Sequence, residues 1–453
     1  MQTPRPRDID RQIVRLAFPA ILSNITVPLM GLSDTFISGH LGSATYIAAI
    51  AVGTVMVNSV FLLLGFLRMG TTGLTSEAFG RGDSLAGRRV FTAAFLLAIA
   101  LGAAIIALAY PLQALMRFVM SPPPATGALG VEYFYIIVLS APASLATMSV
   151  TGWMIGRQNT LYPMITSITV NAVNIALSMS LVLWAGIGFK GVAVGTASAN
   201  WLGLFLSLFL ARRLTGRDGL WCPLRDLRHG FDWRRFFRVN TDLLIRSACI
   251  MAVSFGMTSF AGRMGDLPLA LNAVLMQFFL FFSYFMDGFA FSGEALCGRF
   301  SGAGDMAALR LTIRRLAAVC AVVASLFLFV YLFFTPAVAS LLTDVRSVVD
   351  GVAALKWATC LIPVISVMAF MFDGVYIGLT ATRGMLYATL SAMLVFFALN
   401  ALFAATGRSE ARPVDFLWIA FLSFLFIRGI VLILLLPHEL RKKNELRKKT
   451  NAV

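Results

Sequence analysis

Residues 316–334 read LAAVCAVVASLFLFVYLFF, an apolar run without a charged side chain. A helix needs about 20 mostly apolar residues to cross the hydrocarbon core of a bilayer, so this run predicts a transmembrane helix over 309–334. Similar apolar windows occur on both sides of it along the chain. The other predicted spans are 13–37, 46–70, 89–110, 131–155, 161–184, 191–212, 243–262, 268–297, 352–378, 384–405 and 414–436.

The overall composition also indicates a membrane protein. Hydrophobic residues make up 59% of the 453 positions and charged residues only 13%, whereas about a quarter of the residues of a soluble domain are charged. The net charge of +16 does not indicate nucleic-acid binding, because the basic residues lie between the apolar windows. The five cysteines have no paired spacing, so we expect neither a disulfide framework nor a zinc site.

The distribution of lysine and arginine predicts the orientation of the chain. Cytoplasmic segments carry the excess of basic residues in membrane proteins. The alternate loops that hold this excess include a cluster at 212–246 and the tail at 441–449. We therefore expect a multi-pass protein of the bacterial inner membrane with both termini in the cytoplasm. The first apolar window is too long for the core of a signal peptide, so we expect the N-terminus to be retained.

The two halves of the sequence resemble each other at an offset of about 222 residues. Gly80-Arg81-Gly82-Asp83 matches Gly302-Ala303-Gly304-Asp305, and Gly156 and Thr160 match Gly378 and Thr382. Each half holds six predicted spans, so both halves have the same orientation in the membrane. This pattern predicts an all-α polytopic membrane protein whose twelve transmembrane helices form two six-helix lobes, related by a pseudo-two-fold axis along the membrane normal.

These observations divide the chain into four parts. Residues 1–212 are the predicted N-terminal lobe and residues 241–437 the C-terminal lobe. Between them, residues 213–240 form a basic, aromatic linker, which we expect to lie along the cytoplasmic face of the membrane. Residues 438–453 form a basic cytoplasmic tail.

Asp34 is the first candidate for chemistry inside the membrane. A charged side chain at the centre of a spanning helix costs about 2.5–3.5 kcal/mol on insertion scales. Asp34 follows Pro19 and Pro28 in the same span, and each proline removes one backbone hydrogen bond and loosens the helix. A carboxylate in a low-dielectric cavity can exchange a proton near neutral pH. The alternative is a carboxylate that only caps or pairs within a polar cavity.

Four charged residues in predicted spans of the second half are further candidates. Asp287 and Glu294 are seven residues apart and share a helix face, while Asp373 lies in a span that also contains Pro363. Asp287 and Asp373 are candidate proton or cation sites, or structural charges. For Glu294 we favour a structural ion pair with Arg428.

A structural role is also expected for the charges at the inner end of the second span. Arg68 and Glu77 lie there, and Glu77 is four residues before Arg81, the spacing of a helical ion pair.

Uncharged polar residues in the fifth and sixth spans could line a cavity in the same half as Asp34. Hydrogen bonding between helices explains such buried residues equally well. These residues are Asn171, Asn174, Ser178 and Thr196.

No sequence motif indicates an enzyme. The three histidines lie in loops or at a helix end, and no zinc-protease, phosphate-binding or serine-elbow motif occurs. The chain therefore needs no cofactor or metal in this interpretation, and an ion gradient has to drive any pumping.

Three short stretches resemble the DinF-like branch of the multidrug and toxic compound extrusion (MATE) family. They are Phe66-Leu67-Arg68-Met69-Gly70-Thr71-Thr72-Gly73-Leu74-Thr75, Asp287-Gly288-Phe289-Ala290 and Gly293-Glu294-Ala295-Leu296. The resemblance implies two six-helix lobes around a central cleft. It also implies export of organic, often cationic, compounds in exchange for H⁺ or Na⁺.

The resemblance also implies roles for individual residues. Asp34 matches the helix 1 carboxylate of the family's first-lobe site, and Pro19 resembles its upstream proline. Asn174 matches the asparagine of that site, and Thr196 resembles its threonine. Related transporters often carry a second carboxylate four residues after the asparagine, where this chain has Ser178.

The second lobe offers an alternative coupling site. Asp373 resembles a helix 10 aspartate that another branch of the family uses as a cation site. Sodium needs several oxygen ligands, and the missing carboxylate at Ser178 weakens such a cage in the first lobe. We therefore favour H⁺ over Na⁺ as the coupling ion.

The leading hypothesis is a gradient-driven antiporter that works by alternating access. We expect it to be a monomer whose partners are small cationic or amphipathic compounds and membrane lipids, and not nucleic acid. One rival is a flippase for lipid-linked precursors, which would need a more cationic cleft than Arg68 and Arg428 suggest. The other is a membrane scaffold that transports nothing.

Overall fold

A computed structural model describes residues 5–39, 44–120, 123–216, 219–406 and 413–450. Within these ranges the regular structure is helical and no strand occurs, which confirms the predicted all-α class. The helices are α1 (Pro6–Gly39), α2 (Ala44–Leu64), α3 (Phe66–Gly80), α4 (Ser84–Ala107), α5 (Ala109–Met120), α6 (Pro124–Val138), α7 (Ala141–Gly156), α8 (Leu161–Leu183), α9 (Phe189–Thr215), α10 (Leu224–Gly230), α11 (Trp233–Arg263), α12 (Asp266–Ala303), α13 (Met306–Leu342), α14 (Arg346–Ala354), α15 (Lys356–Gly378), α16 (Thr382–Ala405) and α17 (Pro413–Thr450).

The described helices account for the predicted spans. Ten segments are long and apolar enough to cross a bilayer, and a bent pair, α6 with α7, makes an eleventh. Helix α1 covers the predicted span 13–37 but is not one of these eleven segments. The apolar run 316–334 lies inside α13, as expected.

The predicted span 131–155 is not one straight helix. Helices α6 and α7 meet at an angle of 53°, and the break falls at Leu139 and Ser140, just before Pro142. Proline lacks the backbone N–H that a continuous helix needs and disfavours helical geometry in the residue before it. The Ser140 N–H instead closes a tight turn on the Ile137 carbonyl at 2.8 Å.

The chain forms two compact units. The first unit is Leu22–Phe236, and the second combines Phe237–Val453 with the residues up to Ile21. The division at Phe236–Phe237 falls inside the predicted linker 213–240. That linker contains α10 and the first turns of α11. The start of α1, which the sequence grouped with residues 1–212, lies with the second unit.

Specific contacts hold the start of α1 in the second unit. The Ser292 hydroxyl donates a hydrogen bond to the Ile13 carbonyl at 2.9 Å. Gly288 allows close approach, since a Cβ there would lie 3.0 Å from the Ala17 carbonyl oxygen. Arg315 donates through Nε to the Asp10 carboxylate at 2.7 Å. None of these three contacts could be read from hydropathy.

The matched glycine–aspartate motifs form the same turn in both units. Gly82 has a φ of 72° and Gly304 a φ of 70°, values that favour glycine. The following Asp83 and Asp305 cap the next helices, accepting hydrogen bonds at 2.8 Å and 2.9 Å from backbone N–H groups three residues on. The repeated sequence therefore encodes a repeated local structure.

A second repeated feature is a pair of glycines that brings two helices together. A methyl group at Gly152 of α7 would overlap the Arg68 carbonyl of α3. In the second unit, a methyl group at Gly374 of α15 would overlap the Ala290 carbonyl of α12. Small residues at such positions allow the close packing of helices in membranes. These contacts form the frame on which the candidate site residues lie.

Candidate functional site

Helices α8 and α9 of the first unit carry the predicted polar residues. They pack closely because α9 presents glycine to α8, and a Cβ at Gly195 would collide with the Ser178 side chain. Asn174, Ser178 and Thr196 are all buried, with exposures of 1%, 0% and 7%. The structure therefore brings these three predicted residues together.

A chain of hydrogen bonds joins the buried residues. Asn174 donates from Nδ2 to the Thr196 hydroxyl at 2.7 Å. Thr196 in turn donates to the Val192 carbonyl at 3.0 Å, and the Ser178 hydroxyl points at the same carbonyl at 3.4 Å. The Asn174 Oδ1 atom is buried and has no hydrogen-bond partner among the described atoms. It is an acceptor available to a proton donor or a cation.

Asn171 connects α8 to α1 within the first unit. Its Nδ2 donates to the Thr26 hydroxyl at 2.8 Å and to the Thr26 carbonyl at 3.2 Å. Thr26 lies two residues before Pro28. The contact therefore places the predicted polar face of α8 against the proline-containing part of α1.

Asp34 has a described backbone but its side chain lies outside the described residues. Its backbone belongs to α1, which continues as a helix through Pro19 and Pro28 to Gly39. The predicted role of this carboxylate remains a prediction from sequence, as does the bending of α1 at its prolines.

The second unit contains a buried charge cluster. Asp373 of α15 accepts hydrogen bonds through Oδ2 from both Arg246 of α11 and Arg428 of α17. The three residues are 8%, 3% and 4% exposed. The Phe370 ring lies beneath the Arg428 guanidinium, with its centroid 6.0 Å away. Asp287 of α12 adds electrostatic attraction for Arg246.

Arg428 has a different carboxylate partner from the one expected. The sequence suggested Glu294, which lies on α12 and is 1% exposed. The structure instead pairs Arg428 with Asp373. The physical reason is that α17 presents Arg428 to α15, where Asp373 lies.

The same contacts change the interpretation of Asp373. A guanidinium stays protonated at all relevant pH values, so two permanent positive charges lie against this carboxylate. A coupling cation would have to compete with both. In this arrangement Asp373 is a poor cation site.

Sequence reasoning did not identify Arg246 as an intramembrane charge. It lies near the start of the predicted span 243–262 and was counted with the cytoplasmic basic cluster. Helix α11 begins at Trp233, and its buried face includes Asn240, Leu243, Arg246 and Ser247. That spacing of three and four residues is the helical pattern that could have revealed it.

Glu77 forms the predicted structural pair and one more. It accepts from Arg81 at 2.9 Å, as the four-residue spacing predicted. It also accepts from Arg235 at 2.6 Å. Arg235 belongs to the predicted linker 213–240, so this pair fastens the end of the linker to α3 within the first unit. Arg68 contributes its carbonyl to the contact with Gly152.

No group of three or more histidine, cysteine, aspartate or glutamate side chains in the described ranges could hold a metal ion. The polar atoms of both clusters are hydroxyl, amide, carboxylate and guanidinium groups. Such groups can form hydrogen bonds and ion pairs with polar or charged organic compounds.

Comparison with known proteins gives consistent results. The sequence model of the MatE family matches residues 19–180 and 243–402. The chain is 33% identical over 423 residues to DNA damage-inducible protein F of Escherichia coli (strain K12), covering 93% of this chain and 91% of that protein. It is 26% identical over 309 residues to the probable multidrug resistance protein NorM of Deinococcus radiodurans, covering 66% of each chain. The fold matches the crystal structure of MATE in the straight conformation, with a TM-score of 0.84, 18% identity and 98% coverage of both chains.

Proposed function

The chain belongs to the MatE family of multidrug and toxic compound extrusion transporters, and from this premise we propose that it exports small organic, often cationic, compounds in exchange for protons. Membership makes it a multi-pass membrane transporter of the multidrug efflux class and not an enzyme. We further propose that it resides in the inner membrane with both termini in the cytoplasm.

The observation that carries the proposal is the buried polar cluster of the first unit. Asn174 keeps one acceptor without a partner, and Asn171 fixes α8 against α1 at Thr26. Both helices run outward in the predicted orientation. At 1.5 Å per residue, Asp34 lies about 12 Å beyond Thr26, and Ser178 lies about 10 Å beyond Asn171. From these spacings we expect the backbone of Asp34 to lie level with the polar cluster, and we propose that its carboxylate takes up and releases a proton there.

The same cluster favours protons over sodium. Sodium would need several oxygen ligands at once. The Thr196 and Ser178 hydroxyls already point at one backbone carbonyl, and Ser178 stands where relatives of the family often carry a second carboxylate. Among these three buried side chains, the Asn174 Oδ1 atom is the polar atom without a hydrogen-bond partner in the described structure. A single titratable group, Asp34, therefore suits H⁺ better.

The contacts of Asp373 in the second unit support our proposal that the proton-coupling carboxylate is Asp34 in the first unit. Asp373, the alternative coupling carboxylate, is engaged by Arg246 and Arg428. Asp34 would take up a proton from the outside as the substrate leaves and release it to the cytoplasm. Pro19 and Pro28 would let α1 change its bend with the protonation state.

The test is export of ethidium from intact cells that express the chain. We expect Asp34→Asn to abolish export, and Asp344→Asn, an exposed carboxylate outside the predicted spans, to leave export unchanged. A proton uncoupler should stop export by the wild type, and removal of sodium should not. Full export by Asp34→Asn, or export that requires sodium, would contradict the proposal.

A second candidate function has one observation in its favour. The second unit buries two arginines, Arg246 and Arg428, of which the sequence had indicated only Arg428 as an intramembrane charge. This would suit a flippase for lipid-linked precursors with phosphate groups. Such a protein would move no ethidium in any variant, so the same assay separates the two candidates.

A further inference from the structure

Two arginines in the second unit share a single carboxylate oxygen. Arg246 and Arg428 both donate to Oδ2 of Asp373. The other oxygen, Oδ1, is buried and has no hydrogen-bond partner among the described atoms. The Arg428 Nε atom is likewise buried and unpartnered in the described structure. The cluster therefore leaves hydrogen-bonding capacity unused inside a buried site.

A guanidinium is built to bind two oxygens at once. Its planar set of N–H donors matches the two oxygens of a carboxylate or phosphate. In this cluster Arg428 contacts one oxygen, Oδ2 of Asp373, and shares it with Arg246. Arg246 has a second negative neighbour, Asp287. Arg428 is thus a buried cation whose counter-charge is shared. An added anionic group could satisfy it more fully.

The cluster is present in only one of the two repeated halves. At the offset of 222 residues, Arg246, Asp373 and Arg428 correspond to Asn24, Thr151 and Leu206 in the first half. The first unit therefore forms the same repeated turns and helix contacts without these charges. Buried ion pairs add little net stability compared with apolar residues, and charges inside membranes usually mark functional sites. The cluster thus points to a ligand.

Aromatic side chains flank the charges. Phe370 lies beneath Arg428 and packs against Phe279 and Phe282, with centroid separations of 5.9 Å and 6.3 Å. Phe279 in turn contacts Phe421 at 5.0 Å. A positive charge beside an aromatic wall suits a compound that has both an acidic group and an apolar body.

We propose that Arg246 and Arg428 bind the acidic group, a carboxylate or a phosphate, of an exported compound. Asp373 is the internal counter-ion that occupies both arginines when the compound is absent. This inference rests on the proposed export function and extends its substrates from organic cations to compounds with an acidic group. The side chain of Asp373 retains 11% exposure.

The test is ligand-dependent thermal stability of the purified full-length chain at constant ionic strength. The probes share one ring and differ in charge: benzoate, phenyl phosphate and neutral benzamide. A ligand that binds the folded state raises its stability in proportion to occupancy. We expect benzoate or phenyl phosphate to stabilise the wild type and benzamide to have no effect.

The decisive variant is Asp373→Asn. Because it removes the competing internal carboxylate, we expect the affinity for the acidic probes to rise about tenfold or more, the change that corresponds to 1.4 kcal/mol. In Arg428→Gln the acidic probes should no longer raise the thermal stability, and in Arg428→Lys they should raise it by less than in the wild type. Glu77→Gln removes a different buried carboxylate and should leave the response as in the wild type.

Stabilisation by phenyl phosphate alone would identify a phosphate source such as a lipid headgroup, and stabilisation by benzoate would identify a carboxylic acid. The proposal would be overturned if the acidic probes raised the unfolding temperature of neither the wild type nor Asp373→Asn. It would also be overturned if they raised the unfolding temperature of Arg428→Gln as much as that of the wild type. If Arg428→Gln does not fold, the results for Arg428→Lys and Asp373→Asn still test the proposal. The assay needs no ion gradient, so failure of ethidium export would leave its result intact.

Discussion

At the residue scale, the first unit relies on single hydrogen bonds between buried neutral groups. A buried hydrogen bond such as that from Asn174 to Thr196 adds little net stability to the fold. Removing one partner lowers the stability more, because the other partner stays buried without a hydrogen bond. The sequence could identify Asn174 and Thr196 as buried polar residues, because amides and hydroxyls are rare in apolar spans. It could not show that they bond to each other, since that depends on the packing of α8 against α9.

Replacing Thr196 with valine tests this bond. The change keeps the shape of the side chain and leaves the Asn174 amide without its acceptor, so we expect a loss of about 1–2 kcal/mol in the free energy of unfolding. The measurement is equilibrium unfolding in mixed detergent micelles. Thr258→Val, which alters an exposed hydroxyl on a long bond to its own helix, is the control and should have little effect. Equal stability of Thr196→Val and the wild type would show that the bond is unimportant.

Strained residues occur at matching positions in the two halves. Gln158 has a φ of 64° and Thr380 a φ of 52°, in the left-handed region that costs a β-branched residue most. Both lie just after the helices α7 and α15. Because glycine adopts this conformation without strain, we expect Thr380→Gly to raise the unfolding free energy by about 1 kcal/mol. A lower unfolding temperature for this variant would contradict the assigned strain.

At the element scale, repeated glycine contacts determine how close the helices approach. Gly152 and Gly374 allow α7 to approach α3 and α15 to approach α12, with carbonyl groups where side chains would otherwise lie. The sequence displayed the duplication through Gly156 and Gly378. It did not show which partner helix each glycine faces, because that depends on contacts far apart along the chain.

Adding one methyl group tests this packing. Gly152→Ala and Gly374→Ala should each lose about 1–3 kcal/mol of stability, because the new Cβ overlaps a backbone carbonyl that cannot move aside easily. Gly87→Ala is the matched control. No atom lies within 4 Å of a Cβ at that position, and alanine favours the helix, so this variant should be as stable as the wild type or more so. Thermal unfolding of the three purified variants gives the comparison, and similar behaviour of all three would disprove the contact.

The start of α1 is fastened to α13 by the Asp10–Arg315 pair. The hydrogen bond from Arg315 holds the pKa of Asp10 below its ordinary value of 3.8. A lowered pKa in the folded state stabilises the fold above the ordinary pKa, and this stabilisation is lost as the pH falls through the lowered value. We expect Asp10→Asn to unfold at a lower temperature than the wild type at pH 7. The difference should shrink as the pH falls below the ordinary value of 3.8 and through the lowered pKa, and a difference that stays constant over this fall in pH would contradict the assignment.

At the scale of the whole molecule, the sequence predicted the architecture better than the site. Apolar windows and basic loops indicated the spans, because the bilayer imposes length and charge rules on every segment. The placement of residues up to Ile21 with the second unit and the partner of Arg428 both depend on contacts between distant helices. Local patterns cannot encode such contacts.

The duplicated halves have diverged in their chemistry. The first unit has neutral hydrogen bonds around Asn174, whereas the second holds the charges of Arg246, Asp373 and Arg428. At the offset of 222 residues, Asn174 corresponds to Phe396 and Thr196 to Trp418. Both of these aromatic residues are fully buried. This divergence is consistent with our proposals that proton coupling takes place in the first unit and recognition of acidic groups in the second.

The most direct test of proton-coupled export uses purified chain in sodium-free liposomes with a pH-sensitive dye inside. With the membrane potential clamped, addition of ethidium should drive proton movement in the opposite direction to the substrate for the wild type. The Asp34→Asn variant should show none, and Asp373→Asn should retain coupling because its carboxylate is already engaged by two arginines. Proton movement that persists in Asp34→Asn and is lost in Asp373→Asn would move the coupling site to the second unit and contradict the proposed function.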